Sequence, residues 1–220
     1  MAQVASVNVG RPRTISWHGR EVTTAIWKAP VKGRLPVRGV NVAGDQQADR
    51  SVHGGPQMSL YAYGLDDYRW WEATLGRPVG PGTFGDNLTV AGLDPSAALI
   101  GERWAVGSAV LQVTAPRIPC YKLGIRMDDE SFPRRFSAAM RPGAYLAIVQ
   151  EGEIAAGDPL EVVHRPDHQV AVRTVARAYH GERELVPGLL EAPELPTSWR
   201  HWAEEHLPTA VVARRAGRAG

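Results

Sequence analysis

One sulfur stands in a setting that could make it reactive. Cys120 is the only cysteine of the chain, and it lies in Pro116-Arg117-Ile118-Pro119-Cys120-Tyr121-Lys122-Leu123, directly after a strand-like run ending at Thr114. Two prolines restrict the backbone there, which predicts a rigid loop at a strand end. Arg117 and Lys122 bracket the thiol, and neighbouring cations favour the thiolate, the form that attacks electrophiles or binds a soft metal. On the residues alone, a reactive sulfur and a small buried hydrophobe are equally consistent with Cys120.

Two further segments carry chemistry-bearing side chains. Gly44-Asp45 through Asp49, followed by His53-Gly54-Gly55-Pro56, combines acids, a histidine and a glycine pair. Backbone N–H groups of Gly54 and Gly55 could approach an anion closely. Asp45 could equally close an Asx turn, and His53 could be a hydrogen-bonded structural residue. Phe84-Gly85-Asp86-Asn87-Leu88 offers an amide that both donates and accepts, or simply a turn before a strand.

The elements that must hold these segments are mostly short strands. Ile15-Ser16-Trp17 and Glu21-Val22-Thr23 flank His18-Gly19, which predicts a hairpin; residues 103–106 and 109–113 flank Gly107-Ser108, which predicts a second. Further strands are expected at 35–42, 87–90, 145–150 and 160–163. Many short strands with uneven turns favour a closed or sandwiched β architecture, because closure removes unpaired edges. Residues 59–75 carry Leu60, Tyr63, Tyr68, Trp71 and Leu75 at roughly helical spacing, with Ser59 as N-cap and Gly76 as stop. Past His164 the pattern turns helical: Val172, Val175, Ala176 and Tyr179 share a face, Leu185, Leu189 and Leu190 follow near Pro187, and a last helix after Thr197 holds Trp199 and Trp202. The expected organisation is therefore a mainly β domain over 1–164 and a small three-helix module over 165–220 that ends in a disordered basic tail.

Composition bounds the class. With 220 residues, 44% of them hydrophobic, and a formal net charge of +2, the chain can bury a substantial core. No apolar run approaches the roughly 18 residues that span a bilayer, and no signal-peptide pattern opens the chain, so a soluble cytoplasmic protein is expected. A single cysteine excludes an internal disulfide and a multi-thiolate zinc site. The main basic cluster, Arg214, Arg215 and Arg218, reads as a solvated tail, so neither nucleic acid nor membrane is expected as a partner.

In this order, the segments resemble the MOSC family, named for the C-terminal domain of molybdenum cofactor sulfurases, and within it the YiiM-like branch. The residues that carry the likeness are Ala25-Ile26-Trp27-Lys28 with Pro30-Val31 and Gly33, Gly44-Asp45 to Asp49, His53-Gly54-Gly55-Pro56, Phe84 to Leu88, Ile100-Gly101 and Pro116 to Leu123. Gly157-Asp158 and Ser198-Trp199-Arg200 extend it into the tail. Two positions depart from that branch: Gln57-Met58 stands where it often has Asp-Lys, and Tyr61 to Tyr63 where it often has a histidine pair.

The resemblance implies a MOSC-type β-barrel that binds the molybdenum cofactor, molybdopterin, with the Cys120 sulfur as protein ligand to molybdenum and a C-terminal three-helix module. A thiolate is a soft, strongly donating ligand suited to a centre that changes oxidation state by two electrons. Arg117 and Lys122 are the first choices for the cofactor's phosphate and pterin, with Lys28, Asn87, His53 and the Gly54 and Gly55 backbone next, and Lys32 and Arg141 after these. The implied activity is reduction of N-hydroxylated compounds such as hydroxylaminopurines and amidoximes. Reduced molybdenum would take the N–OH oxygen, His53 or Asp45 would deliver a proton, and a separate flavin or iron–sulfur protein would donate electrons. Either a monomer or a homodimer is compatible. The alternative is a carrier that holds a persulfide or cofactor on Cys120 and passes it on without turnover. Pyridoxal phosphate is not expected, since nothing marks Lys28, Lys32 or Lys122 as a Schiff-base nucleophile.

Overall fold

The structure is a computed structural model in which residues 1–48 and 54–208 are described. The strands, in chain order, are β1 (Gln3–Val9), β2 (Arg13–Trp17), β3 (Arg20–Thr24), β4 (Ala29–Pro30), β5 (Leu35–Arg38), β6 (Asn41–Val42), β7 (Leu60–Gly64), β8 (Leu88–Ala91), β9 (Arg103–Val106), β10 (Ala109–Pro116), β11 (Ala144–Gln150), β12 (Gly152–Ile154) and β13 (Leu160–His164). The α-helices are α1 (Leu65–Leu75), α2 (Tyr121–Met127), α3 (Phe132–Ala138), α4 (Val172–Tyr179), α5 (Val186–Leu189) and α6 (Thr197–Glu205).

Eight strands form one mixed sheet in the order β13-β9-β10-β11-β7-β8-β1-β4. Every pairing in it is antiparallel except β7 with β8, which run parallel. Both expected hairpins form, β2 with β3 and β9 with β10. The expected strand at 35–42 is instead a small hairpin, β5 with β6, folded at Gly39, whose φ of 61° is open to glycine at little steric cost. Its strand β5 also pairs with β12.

The expected barrel closure is not found as a continuous ladder. The two sides of the sheet meet through an isolated bridge, Gln3 with Pro159, and backbone bonds from Val4 N to Asp158 O (2.9 Å) and Leu160 N to Ala2 O (3.0 Å). A register shift between Val4 and Ser6 turns β1 away beyond that point. Arg34 clamps the same place, with a two-pronged ion pair to Asp158 at 2.8 and 2.6 Å.

The helix expected over 59–75 is half strand. Leu60 and Ala62 join the main core while Tyr61 and Tyr63 join a second, aromatic cluster on the opposite face, which is the period of two of a strand buried on both sides. The helix starts only at Leu65, with Gly64 as N-cap; Ser59 instead donates its hydroxyl to Pro56 O at 2.9 Å. Gly76 stops it as expected, in the left-handed conformation with its N–H on Glu72 O.

Two helices were not legible as such. The Pro116 to Leu123 segment is not one loop: β10 runs through Pro116, only residues 117–120 are irregular, and α2 begins at Tyr121. Leu123, Ile125 and Met127 are buried, and Leu123 and Met127 join the aromatic cluster of Tyr63, Tyr68, Trp71, Phe84, Phe132 and Phe136, which anchors α2 and α3. On the chain's last third, Val172, Val175, Leu189, Leu195 and Ala203 belong to the same core as Val7, Leu111 and Leu146. The helices there are also tied to the sheet side by backbone bonds, Val172 N to Ala98 O and Ile100 N to Val170 O, both 2.9 Å.

Candidate functional site

A cleft of about 130 Å³ opens where the β10–α2 turn meets β7, β11 and the 44–48 segment. Cys120, Arg117 and Lys122 line it together with Lys28, Asp45, Asn87, Tyr61 and Tyr145. Residues far apart in the sequence, from 24 to 145, thus converge on one space.

The thiol sits at the N-cap of α2 and is partly exposed. The buried face of α2 fixes the turn, so residues 117–120 have little freedom between an anchored strand and an anchored helix. Arg117 is 8% exposed, and its guanidinium lies over the Tyr61 ring at 5.0 Å. Among the described residues neither Arg117 nor Lys122 has an acidic partner within ion-pair distance. Neither cation spends a direct ion pair on an acid among the described residues, which leaves both able to hold an anion in the cleft.

Lys28 is different. Its ammonium is paired with the Asp45 carboxylate, with side-chain exposures of 9% and 2%. Burial pushes the Lys28 pKa below the ordinary lysine value, while Asp45 opposes that shift. Asp45 also accepts from Gly10 N at 2.8 Å and from Asn87 Nδ2 at 3.0 Å. Asn87 in turn accepts from Tyr61 N at 3.1 Å and donates to Asn8 O at 3.3 Å. Its amide therefore holds β1, β7 and the 44–48 segment in register on the cleft floor. Beneath it, fully buried Asp86 takes hydrogen bonds from Tyr68, Thr89 and Asn8, and burial raises its pKa.

Other expected site residues fall elsewhere. His53 and Asp49 lie outside the described residues. Gly54 and Gly55 are described but do not line the cleft; Gly55, with φ of 89°, opens the single 3-10 turn Pro56–Met58. Lys32 is exposed away from the cleft, and Arg141 is occupied by Asp67 and stacks over Trp70 at 4.8 Å. Sequence reasoning missed Tyr61 and Tyr145 as cleft residues. They face each other across the β11–β7 pairing, with rings 5.3 Å apart, a juxtaposition that only the strand register creates. Burial raises the pKa of both phenols, and the Tyr145 hydroxyl has no hydrogen-bond partner among the described residues.

Gly85 sits against Arg117 and Ile26. Its φ is +75°, and a Cβ there would come within 3.2 Å of Ile26 Cγ1 and 3.4 Å of Arg117 Nη1. Gly85→Ala is expected to cost roughly 1–2 kcal/mol of backbone strain, a fall in Tm of several degrees at about 2–4 °C per kcal/mol. Thermal unfolding followed by circular dichroism checks it; an unchanged Tm would show that the backbone there relaxes freely.

Among the described residues, no three of His, Cys, Asp and Glu come together to hold a metal. Among the described residues of the cleft, Cys120 is the one thiol available to a soft metal. No helix among them is long and apolar enough to cross a membrane.

Comparison with known proteins identifies the family. The MOSC domain model matches residues 49–161. The uncharacterized protein YflK of Bacillus subtilis (strain 168) is 34% identical over 200 residues, covering 90% of each chain. A protein named reductase from Gibberella moniliformis is 30% identical over 184 residues, which is 81% of this chain but 32% of that protein. The crystal structure of YiiM from Geobacillus stearothermophilus superposes with a TM-score of 0.78 at 30% identity, covering 94% of this chain and all of that one. With its motifs, its cleft and these relatives in agreement, the chain belongs to the MOSC domain family.

Proposed function

We propose that this protein is a molybdenum-cofactor-dependent reductase of N-hydroxylated compounds of the hydroxylaminopurine or amidoxime type. The observation that carries the reading is the cleft itself. One sulfur, two cations without acidic partners among the described residues and open space fit a group that brings its own sulfur donors and a phosphate. Family membership and a relative named reductase support the reaction class.

In this reading Cys120 Sγ is the protein ligand to molybdenum, and Arg117 and Lys122 hold the cofactor's anionic groups. When bound, the cofactor supplies the electron pair that cleaves the N–O bond. The overall change is R–NH–OH plus two electrons and two protons to R–NH2 and water, with electrons entering from a separate flavin or iron–sulfur protein. One of those protons needs a donor near the departing oxygen. Asp45 is poorly placed to give one, because its two oxygens accept from Lys28, Gly10 and Asn87. Tyr145 Oη is a protonated group in the cleft whose hydrogen bonds are unspent among the described residues, and we assign it that role.

The test is to purify the protein from cells with intact cofactor synthesis and to measure molybdenum content and reduction of 6-hydroxylaminopurine with a chemical electron donor. Near-stoichiometric molybdenum and steady turnover are expected, with Tyr145→Phe lowering turnover by about 10²-fold or more while metal content stays. Cyanolysable sulfur on Cys120 with neither metal nor turnover would establish the carrier reading in its place.

A further inference from the structure

A second cleft, of about 180 Å³, lies beside the first and shares Met58, Ile118 and Tyr145 with it as a common wall. Its far wall is Trp199 of α6, with Gln57 and Ser198 at exposed positions. Trp199 is held edge-on by Tyr179 (5.4 Å between rings, 71°) and Trp202 (5.8 Å, 75°). Arg200 pins the same helix by donating to Ala192 O at 2.6 Å. We infer that this second cleft binds the neutral, planar aromatic body of the substrate, so that α6 recognises what the Cys120 cleft reduces.

Three observations carry the inference. Among the described residues no charged side chain lines the second cleft, whereas Arg117, Lys122 and Lys28 line the first, so the described counter-charges for an anionic ligand lie in the first. The second is walled by an indole, a phenol, a thioether and an aliphatic side chain, surfaces that favour a flat ring through stacking and sulfur–aromatic contact. Finally, Met58, Ile118 and Tyr145 line both clefts, so the ring-binding surface at Trp199 adjoins the cleft that holds Cys120. The inference rests on the reductase reading for the reacting end of the ligand but not for the ring-binding cleft itself.

The test therefore has a binding arm and a turnover arm. Titration of adenine, a non-reducible neutral ring, into the purified protein is followed by calorimetry. Saturable binding is expected, weakened about tenfold in Trp199→Ala, with most of the affinity kept in Trp199→Phe. Ser198→Trp, a change at an exposed position, should fill the cleft and weaken binding similarly even if Trp199→Ala unfolds. In the turnover arm, the preference for benzamidoxime over acetamidoxime, as a ratio of kcat/KM, should fall about tenfold in Trp199→Ala. Adenine affinity unchanged in both Trp199→Ala and Ser198→Trp, or no adenine binding at all, overturns the assignment. A protein that binds adenine in this pattern but holds no molybdenum retains the ring-binding cleft and loses the reductase reading instead.

Discussion

Cys120→Ser is expected to leave the protein folded and strip it of molybdenum. The residue is partly exposed at the cleft, and the buried face of α2 anchors the turn that carries it. Serine keeps the size and changes the donor from a soft, ionisable sulfur to a hard hydroxyl. Disturbing an outer contact of a metal site already costs about 10–100-fold in affinity or activity, and loss of the one protein ligand should exceed that. Elemental analysis gives the metal content and thermal unfolding checks the fold. A serine variant that melted like the wild type and still carried stoichiometric, active molybdenum would end the proposal that this sulfur binds the metal.

The second large effect is on stability. Asp45→Ala would leave the buried Lys28 ammonium without its counter-charge and the Gly10 N–H and Asn87 amide without their acceptor. Breaking one side of such a pair costs about 3–5 kcal/mol, on the order of 10 °C in Tm for a chain of this length. Asp45→Asn, which keeps the shape and one acceptor, should lose less. The double replacement Lys28→Met with Asp45→Leu should recover much of the loss, because no charge is then left buried alone. Urea unfolding of the wild type, Lys28→Met, Asp45→Leu and the double variant forms a cycle that isolates the pair. An Asp45→Ala variant within about 0.5 kcal/mol of wild type, the range of ordinary surface changes, would show that water reaches Lys28 and that the knot is not structural. If Asp45→Asn stayed folded and metal-loaded yet lost all turnover, the proton role assigned to Tyr145 would pass to Asp45.

The departures from sequence expectation share one cause. At residues 60–64, Leu60, Tyr61, Ala62 and Tyr63 are all apolar or aromatic because the strand is buried on both faces, and a continuous run of that kind carries no period by which to tell strand from helix. Helix α2 is only 7 residues long and follows two prolines, so its pattern was too brief to register against a loop. Tyr145 read as the first residue of a strand, and its place in the cleft depends on its pairing with Tyr61, a distant register that no local pattern encodes.

What the sequence determined by itself was the chemistry available and the family. A lone cysteine between Arg117 and Lys122, with Asp45 and Asn87 in fixed order along the chain, is a matter of residue type and spacing, and the hairpins at Gly19 and Gly107 follow from local turn preference. Only the tertiary structure decided which of those groups remain available for chemistry. Lys28, Asp45 and Asn87 spend hydrogen bonds on one another, while the side chains of Arg117, Lys122 and Tyr145 have no hydrogen-bond partner among the described residues and line the cleft. That division depends on burial and on partners tens of residues away, and such contacts form only once the strands have met.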